Sequence, residues 1–155
     1  MRDDVWRVQI KHTIQRHLEK ELQVQGRGLK VLSLFFIDRV ANYRDYDASG
    51  KVSGKFAQAF EAELADFARD PRFAHLSWLS LPVASLHDGY FAQDKKGLLK
   101  DTRGDTQADD DVYDKIMKNK EQLLSLDEPL RFIFSPFGPA RGLGQSERVS
   151  DLYIK

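Results

Sequence analysis

The sequence predicts an α/β fold built on a parallel sheet, and three features carry that prediction. Ile10, Ile14, Leu18 and Leu22 recur every fourth residue, the spacing of one buried helix face. After Gly26 and Gly28 comes Lys30-Val31-Leu32-Ser33-Leu34-Phe35-Phe36-Ile37, short, nearly all apolar and rich in strand-forming residues. Such a run, apolar at successive positions rather than alternate ones, is a strand covered on both faces, as parallel sheets are. Arg131-Phe132-Ile133-Phe134 repeats the pattern near the other end.

Between these landmarks the elements follow in order. Asp3 and Asp4 suit the start of a helix running from about Val5 to Gln25, and the two glycines end it. Residues 38–54, polar and carrying Asp47, Ser49, Gly50 and Gly54, are expected to be mostly loop. Phe56, Phe60, Leu64 and Phe67 mark a second helix, stopped at Asp70-Pro71. Val83 to Phe91 reads as a strand, Asp94-Lys95-Lys96-Gly97 as a turn, and Leu98 to Thr102 as a returning hairpin arm. Asp109, Asp110 and Asp111 are expected to open a third helix that carries Tyr113, Ile116, Met117, Leu123 and Leu124 on its apolar side. Ser135 to Lys155 shows no period and continues no α/β alternation.

Composition narrows the function. The 155 residues are 41% hydrophobic, enough for a packed core, and 24 basic residues balance 24 acidic ones, which argues against a simple polycation. The charge is segregated, with basic excess in residues 1–60 and acidic excess in 61–128, which suggests one basic surface. There is no cysteine, so no disulfide or thiolate metal site can form. With no long apolar run or leader-like start, the expectation is a cytoplasmic protein without membrane contact. His12 and His17 are five apart, off metal-ligand spacing, and His75 and His87 stand alone, so no metal site is expected. The three consecutive aspartates are explained by a helix start, and Gly142-x-Gly144 lacks a third glycine.

Two groups of residues are candidates for function. Asp38 and Arg39 sit where a parallel strand ends, the place where α/β sites gather, with Asn42, Tyr43 and Arg44 close behind. A structural ion pair or a solvated loop explains them equally well, and Phe35 and Phe36 read first as core. Lys95, Lys96 and Lys100 surround a turn near Tyr90 and Phe91; basic and aromatic groups together can hold a DNA backbone, although a solvated hairpin tip is the plainer reading.

KVLSLFFIDRVANYR (Lys30 to Arg44), HDGYF (His87 to Phe91), DKKG (Asp94 to Gly97), the stretch Lys100 to Ser125 and EPLRFIFS (Glu128 to Ser135) occur in an order that resembles the restriction subunit of type III restriction-modification enzymes. The resemblance covers most of residues 5–135. It implies a partial RecA-like helicase lobe, the second of two that clamp ATP, with a parallel sheet, flanking helices and an α+β insertion at about 42–127. Helicase motif IV would fall at 30–44, with Phe36, Asp38, Arg39, Asn42 and Arg44 as its candidate residues, and motif V would start at 131–135. ATP and magnesium would be cofactors of the intact parent, an ATP-dependent DNA translocase and endonuclease, with DNA and a methyltransferase subunit as its partners.

Several parts of that machine are not in this sequence. There is no G-x-x-x-x-G-K-[ST] phosphate loop, and no acidic strand-end box or nuclease carboxylate cluster is recognisable. The expectation is a chain with no catalytic residues and no cofactor of its own. After Ser135 the resemblance stops. A one-base shift of reading frame from the Pro136 codon permits codons for HSALREGWDNPNVFQICTL, the family's usual continuation, so residues 136–155 are expected to be a frameshifted, unstructured tail. The alternative function is a stand-alone module that binds nucleic acid or protein without catalysis.

Overall fold

The computed structural model describes residues 3–37, 39–101, 107–135 and 150–154. Its centre is a sheet in which three parallel strands, β4 (His87–Gly89), β5 (Phe132–Ser135) and β1 (Val31–Phe36), lie side by side in that order. Helices cover both faces. On one face lie α1 (Asp3–Val24) and α2 (Lys55–Ala68); on the other lie α3 (Gln107–Lys118) and α4 (Lys120–Leu123). This is the α/β arrangement the sequence predicts, in keeping with a partial RecA-like lobe.

The all-apolar reading of β1 has a direct physical cause. Every residue from Val31 to Phe36 is buried, and the pleat sends alternate side chains to opposite layers. Phe35 packs with Trp6, Ile14, Leu18, Phe60, Phe132 and Phe134 under α1 and α2, whereas Leu32, Leu34 and Phe36 pack with Ile116, Leu123 and Ile133 under α3 and α4. Phe35 and Phe134 stack with ring centroids 4.7 Å apart, and Phe60 meets Phe132 edge-on at 4.8 Å. Each such ring contributes about 1.5–3 kcal/mol by leaving water.

A polar seam joins α1 to the sheet. His17 Nδ1 lies 2.7 Å from Ser33 Oγ, and Glu21 Oε1 accepts from the Val31 amide at 3.3 Å while lying 3.4 Å from Arg131 Nε. Lys30 is fully buried, and its ammonium donates to the carbonyls of Leu123 (2.8 Å), Ser125 (3.1 Å) and Glu128 (2.5 Å). It thereby caps the exit from α4 and ties it to the start of β1. Burial, then the neighbouring Arg131, lowers the Lys30 pKa to about 8.

Five expectations are corrected. Residues 38–54 are not mostly loop: Arg44–Asp47 (β2) and Gly50–Ser53 (β3) form an antiparallel hairpin. Asp47 Oδ1 turns its tip by accepting from the Ser49 amide at 2.8 Å, and Gly50, at φ +110°, completes the turn. The strand expected over Val83–Phe91 is only His87–Gly89, because that is the stretch with a β5 partner; Val83–Ser85 is a 3-10 turn entered from Pro82. The arm expected over Leu98–Thr102 makes a single bridge, Leu99 with Gln93, among the described residues. The third helix starts at Gln107, so Asp109–Asp111 lie inside its first turns rather than before it, and it breaks at Asn119 into α3 and α4. Finally, the tail is not wholly without structure: β6 (Ser150–Ile154) pairs antiparallel with β1, from Val31 opposite Ile154 to Phe35 opposite Ser150. Residues 136–149 lie outside the described residues. No described helix is long and apolar enough to cross a membrane.

Candidate functional site

The described residues form a cleft of about 350 Å³ at the carboxyl end of β4. Three pieces of chain build it. The β2–β3 hairpin supplies Arg44, Tyr46 and Lys51. Arg44 and Tyr46 are two apart on one strand and Tyr46 is paired directly with Lys51, so strand alternation puts all three on one hairpin face. The end of β4 supplies Asp88 and Tyr90, and α3 supplies Lys115. Gly97, Leu98 and Leu99 also line it; the Leu99 amide donates to the Tyr46 hydroxyl at 3.0 Å, which fixes the hairpin to that wall.

Two glycines set how closely these pieces approach. A Cβ on Gly54, at the foot of β3, would lie 2.1 Å from the Ala41 carbonyl oxygen. A Cβ on Gly89 would lie 2.5 Å from the ring of Tyr43, which lies across it. Tyr43 is itself held by a chain of polar groups. Its hydroxyl lies 2.8 Å from His87 Nδ1, and His87 Nε2 lies 2.6 Å from Glu61 Oε2 on α2. Burial, then the Asp88 carboxylate, pushes the Tyr43 hydroxyl well above the usual tyrosine range. Tyr43 therefore keeps its proton, and its hydroxyl, the His87 ring and the Glu61 carboxyl form one continuous hydrogen-bonded chain.

Three cations, Arg44, Lys51 and Lys115, line the cleft together with one carboxylate, Asp88. The Lys115 ammonium sits 5.5 Å from the centre of the Tyr90 ring. Burial, followed by Asp88 and Glu128, raises the Tyr90 pKa, so the ring stays neutral. A second polar cluster is chemically suggestive but closed. Ser33, His17 and Glu21 are adjacent as a nucleophile, base and orienting acid would be, but Ser33 and His17 are fully buried and Glu21 is only 5% exposed. Burial also holds His17 below its ordinary pKa despite the Glu21 carboxylate. This seam holds α1 on the sheet. No group of three or more His, Cys, Asp or Glu is placed to hold a metal ion among the described residues.

The residues singled out by sequence end up in different places. Arg44 lines the cleft. Lys95 and Lys96 are exposed on the adjoining turn, where Asp94 Oδ1 accepts from the amides of Lys96 (2.8 Å) and Leu98 (3.0 Å), and Lys100 is exposed just beyond it. Arg39 is exposed and Asn42 half-buried on the link between β1 and the hairpin, outside the cleft lining. Phe36 is buried under α3 and α4. Asp38 lies outside the described residues. Sequence reasoning missed Tyr46, Lys51 and Lys115. The alternation of Arg44-Asp45-Tyr46-Asp47 before Ser49-Gly50 was the available sign of the hairpin.

Comparison with known proteins points one way. The Res subunit of the type III restriction-modification enzyme EcoP15I of Escherichia coli is 38% identical over 123 residues, covering 76% of this chain and 12% of that subunit. The EcoPI Res subunit of Escherichia phage P1 is 37% identical over 123 residues, and the StyLTI Res subunit of Salmonella typhimurium is 36% identical over 127. The chain spans about 12% of the length of each of these relatives. No protein-family model matches, and no solved structure does. Over most of its length the chain is therefore similar to one segment of the type III restriction-modification Res subunits.

Proposed function

We propose that this chain is a segment of a type III restriction subunit whose own part is to hold DNA, and that it turns over no nucleotide alone. The observation that carries the reading is the convergence of Arg44, Lys51 and Lys115 with Tyr46 and Tyr90 on one concave surface at a strand's carboxyl end. Cations spaced over a groove neutralise successive phosphates and release their counterions, and neighbouring aromatic rings add sequence-tolerant contact. The exposed Lys95, Lys96 and Lys100 extend the positive surface beyond the cleft. The intact subunit on this reading is an ATP-dependent DNA endonuclease. ATP and magnesium bind elsewhere in it, and a methyltransferase subunit is its partner. Residues 136–155 are taken as a shifted reading frame, and the gene's nucleotide sequence across the Ser135 and Pro136 codons tests that directly.

Fluorescence anisotropy with labelled DNA at low salt tests the binding role. Arg44→Glu combined with Lys51→Glu is expected to weaken binding by about tenfold or more, since two phosphate contacts become repulsions. Lys11→Glu combined with Arg16→Glu, on exposed positions of α1, serves as the control of equal charge. Equal losses from both pairs would show that net charge alone binds DNA and would remove the cleft from the account.

A further inference from the structure

We infer that the cleft seats one unpaired nucleotide, with its base on Tyr90 and its phosphate on the basic hairpin face. This rests on the DNA-holding reading above and makes it more specific.

The cleft mixes charges of both signs. A surface meant only for phosphate has no use for a carboxylate, yet Asp88 stands among Arg44, Lys51 and Lys115. One Asp88 oxygen accepts from the Gly89 amide at 2.8 Å, which aims the group and leaves the other oxygen to accept a hydrogen bond. A nucleotide fits this asymmetry, being anionic at its phosphate and rich in N–H donors on its base edge. A ligand that offers phosphate alone does not.

Size and ring placement add to it. A concavity of about 350 Å³ is in the range of small-ligand pockets and far too small for a duplex, whose bases are stacked inside and cannot enter. A single strand, or a duplex position with an unpaired base, can present one base edge and one face. Tyr90 is half-buried, which fixes its ring, and its face is covered by the Lys115 ammonium. Lysine on a flexible stem is a removable cover: an incoming phosphate draws the ammonium away and frees the ring for a base. Lys115 and Tyr90 thus act in sequence, one for the phosphate and one for the base. Tyr46 cannot move to do the same, because its hydroxyl is bonded to the Leu99 amide.

The experiment compares a labelled single-stranded DNA oligonucleotide with its blunt duplex, for the unaltered chain and for Tyr90→Phe and Tyr90→Leu. The single strand is expected to bind about tenfold more tightly than the duplex. Tyr90→Leu is expected to lose about tenfold or more of single-strand affinity while leaving duplex affinity and the salt dependence of both unchanged. Tyr90→Phe keeps the ring and should keep the affinity. A 2-aminopurine in the strand should lose fluorescence on binding to the unaltered chain and not to Tyr90→Leu; circular dichroism and retained duplex affinity show that Tyr90→Leu is folded and separate a lost ring from a lost fold. Duplex preference, or equal loss of both DNA forms in a folded Tyr90→Leu, overturns the inference and leaves phosphate holding intact. Absence of binding to either form overturns the DNA-holding reading itself.

Discussion

Replacing Lys30 by methionine removes three hydrogen bonds while nearly preserving the side chain's volume. The ammonium is fully buried and donates to Leu123, Ser125 and Glu128. Without it, the Leu123 carbonyl is left buried with no donor, at about 1–3 kcal/mol. The Ser125 and Glu128 contacts are only partly buried, so water recovers some of their loss. The net expectation is a destabilisation of about 3 kcal/mol, read as a lower urea midpoint with an unchanged slope. The pH dependence gives a second handle. Lys30 has a folded pKa of about 8 against an ordinary 10.5, so within that window the unfolded chain holds more protons than the folded one. Its contribution therefore makes the fold more stable as pH rises from about 8 to 10.5, and Lys30→Met should lack that rise. A variant within about 0.5 kcal/mol of the parent at pH 7, the size of an ordinary surface change, would refute the assigned capping role.

Other outcomes follow from the same packing. Gly54→Ala is expected to cost about 3 kcal/mol in thermal unfolding, since its Cβ would lie 2.1 Å from the backbone oxygen of Ala41, which cannot swing aside; parental stability would show that the hairpin base is looser. Gly89→Ala meets a ring instead, so Tyr43 should tilt away at a cost of about 1–2 kcal/mol, visible as altered tyrosine ring shifts in NMR spectra. Tyr43→Phe leaves His87 Nδ1 without its partner and should cost about 1–2 kcal/mol, measured by urea titration. Because the folded Tyr43 pKa is raised, its proton is retained where the unfolded chain releases it, so its contribution is intact below about pH 10 and lost above. Tyr43→Phe should flatten that alkaline loss, and an unchanged profile would contradict the burial argument.

The sheet was legible in the sequence because Leu32, Leu34 and Phe36 on one face and Phe35 on the other all had to be apolar, a pattern that needs no tertiary knowledge. The spacing of Ile10, Ile14 and Leu18 was equally local in origin. The polar seam was not legible: His17 and Glu21 look like solvent residues until the helix is set on Ser33 and Arg131. Lys30 was read as a strand's first residue, and its burial depends on a loop more than 90 positions away. The cleft was half visible. Arg44 and the Lys95–Lys96 turn stood out as basic groups near aromatics, but Lys51 and Lys115 came to the same surface only through hairpin pairing and the docking of α3. β4 was misjudged in length because its end is set by the extent of β5, which local pattern does not report.

The phosphate-holding role of the cleft is tested most directly by the salt dependence of DNA binding. Affinity would be measured across a range of salt concentrations for the unaltered chain and for Arg44→Ala combined with Lys51→Ala and Lys115→Ala. The expected result is a steep linear fall of log affinity with log salt for the parent and a slope shallower by about two to three units for the variant, one lost phosphate contact for each cation. Identical slopes and affinities, or a parent chain whose binding does not respond to salt, would contradict the account.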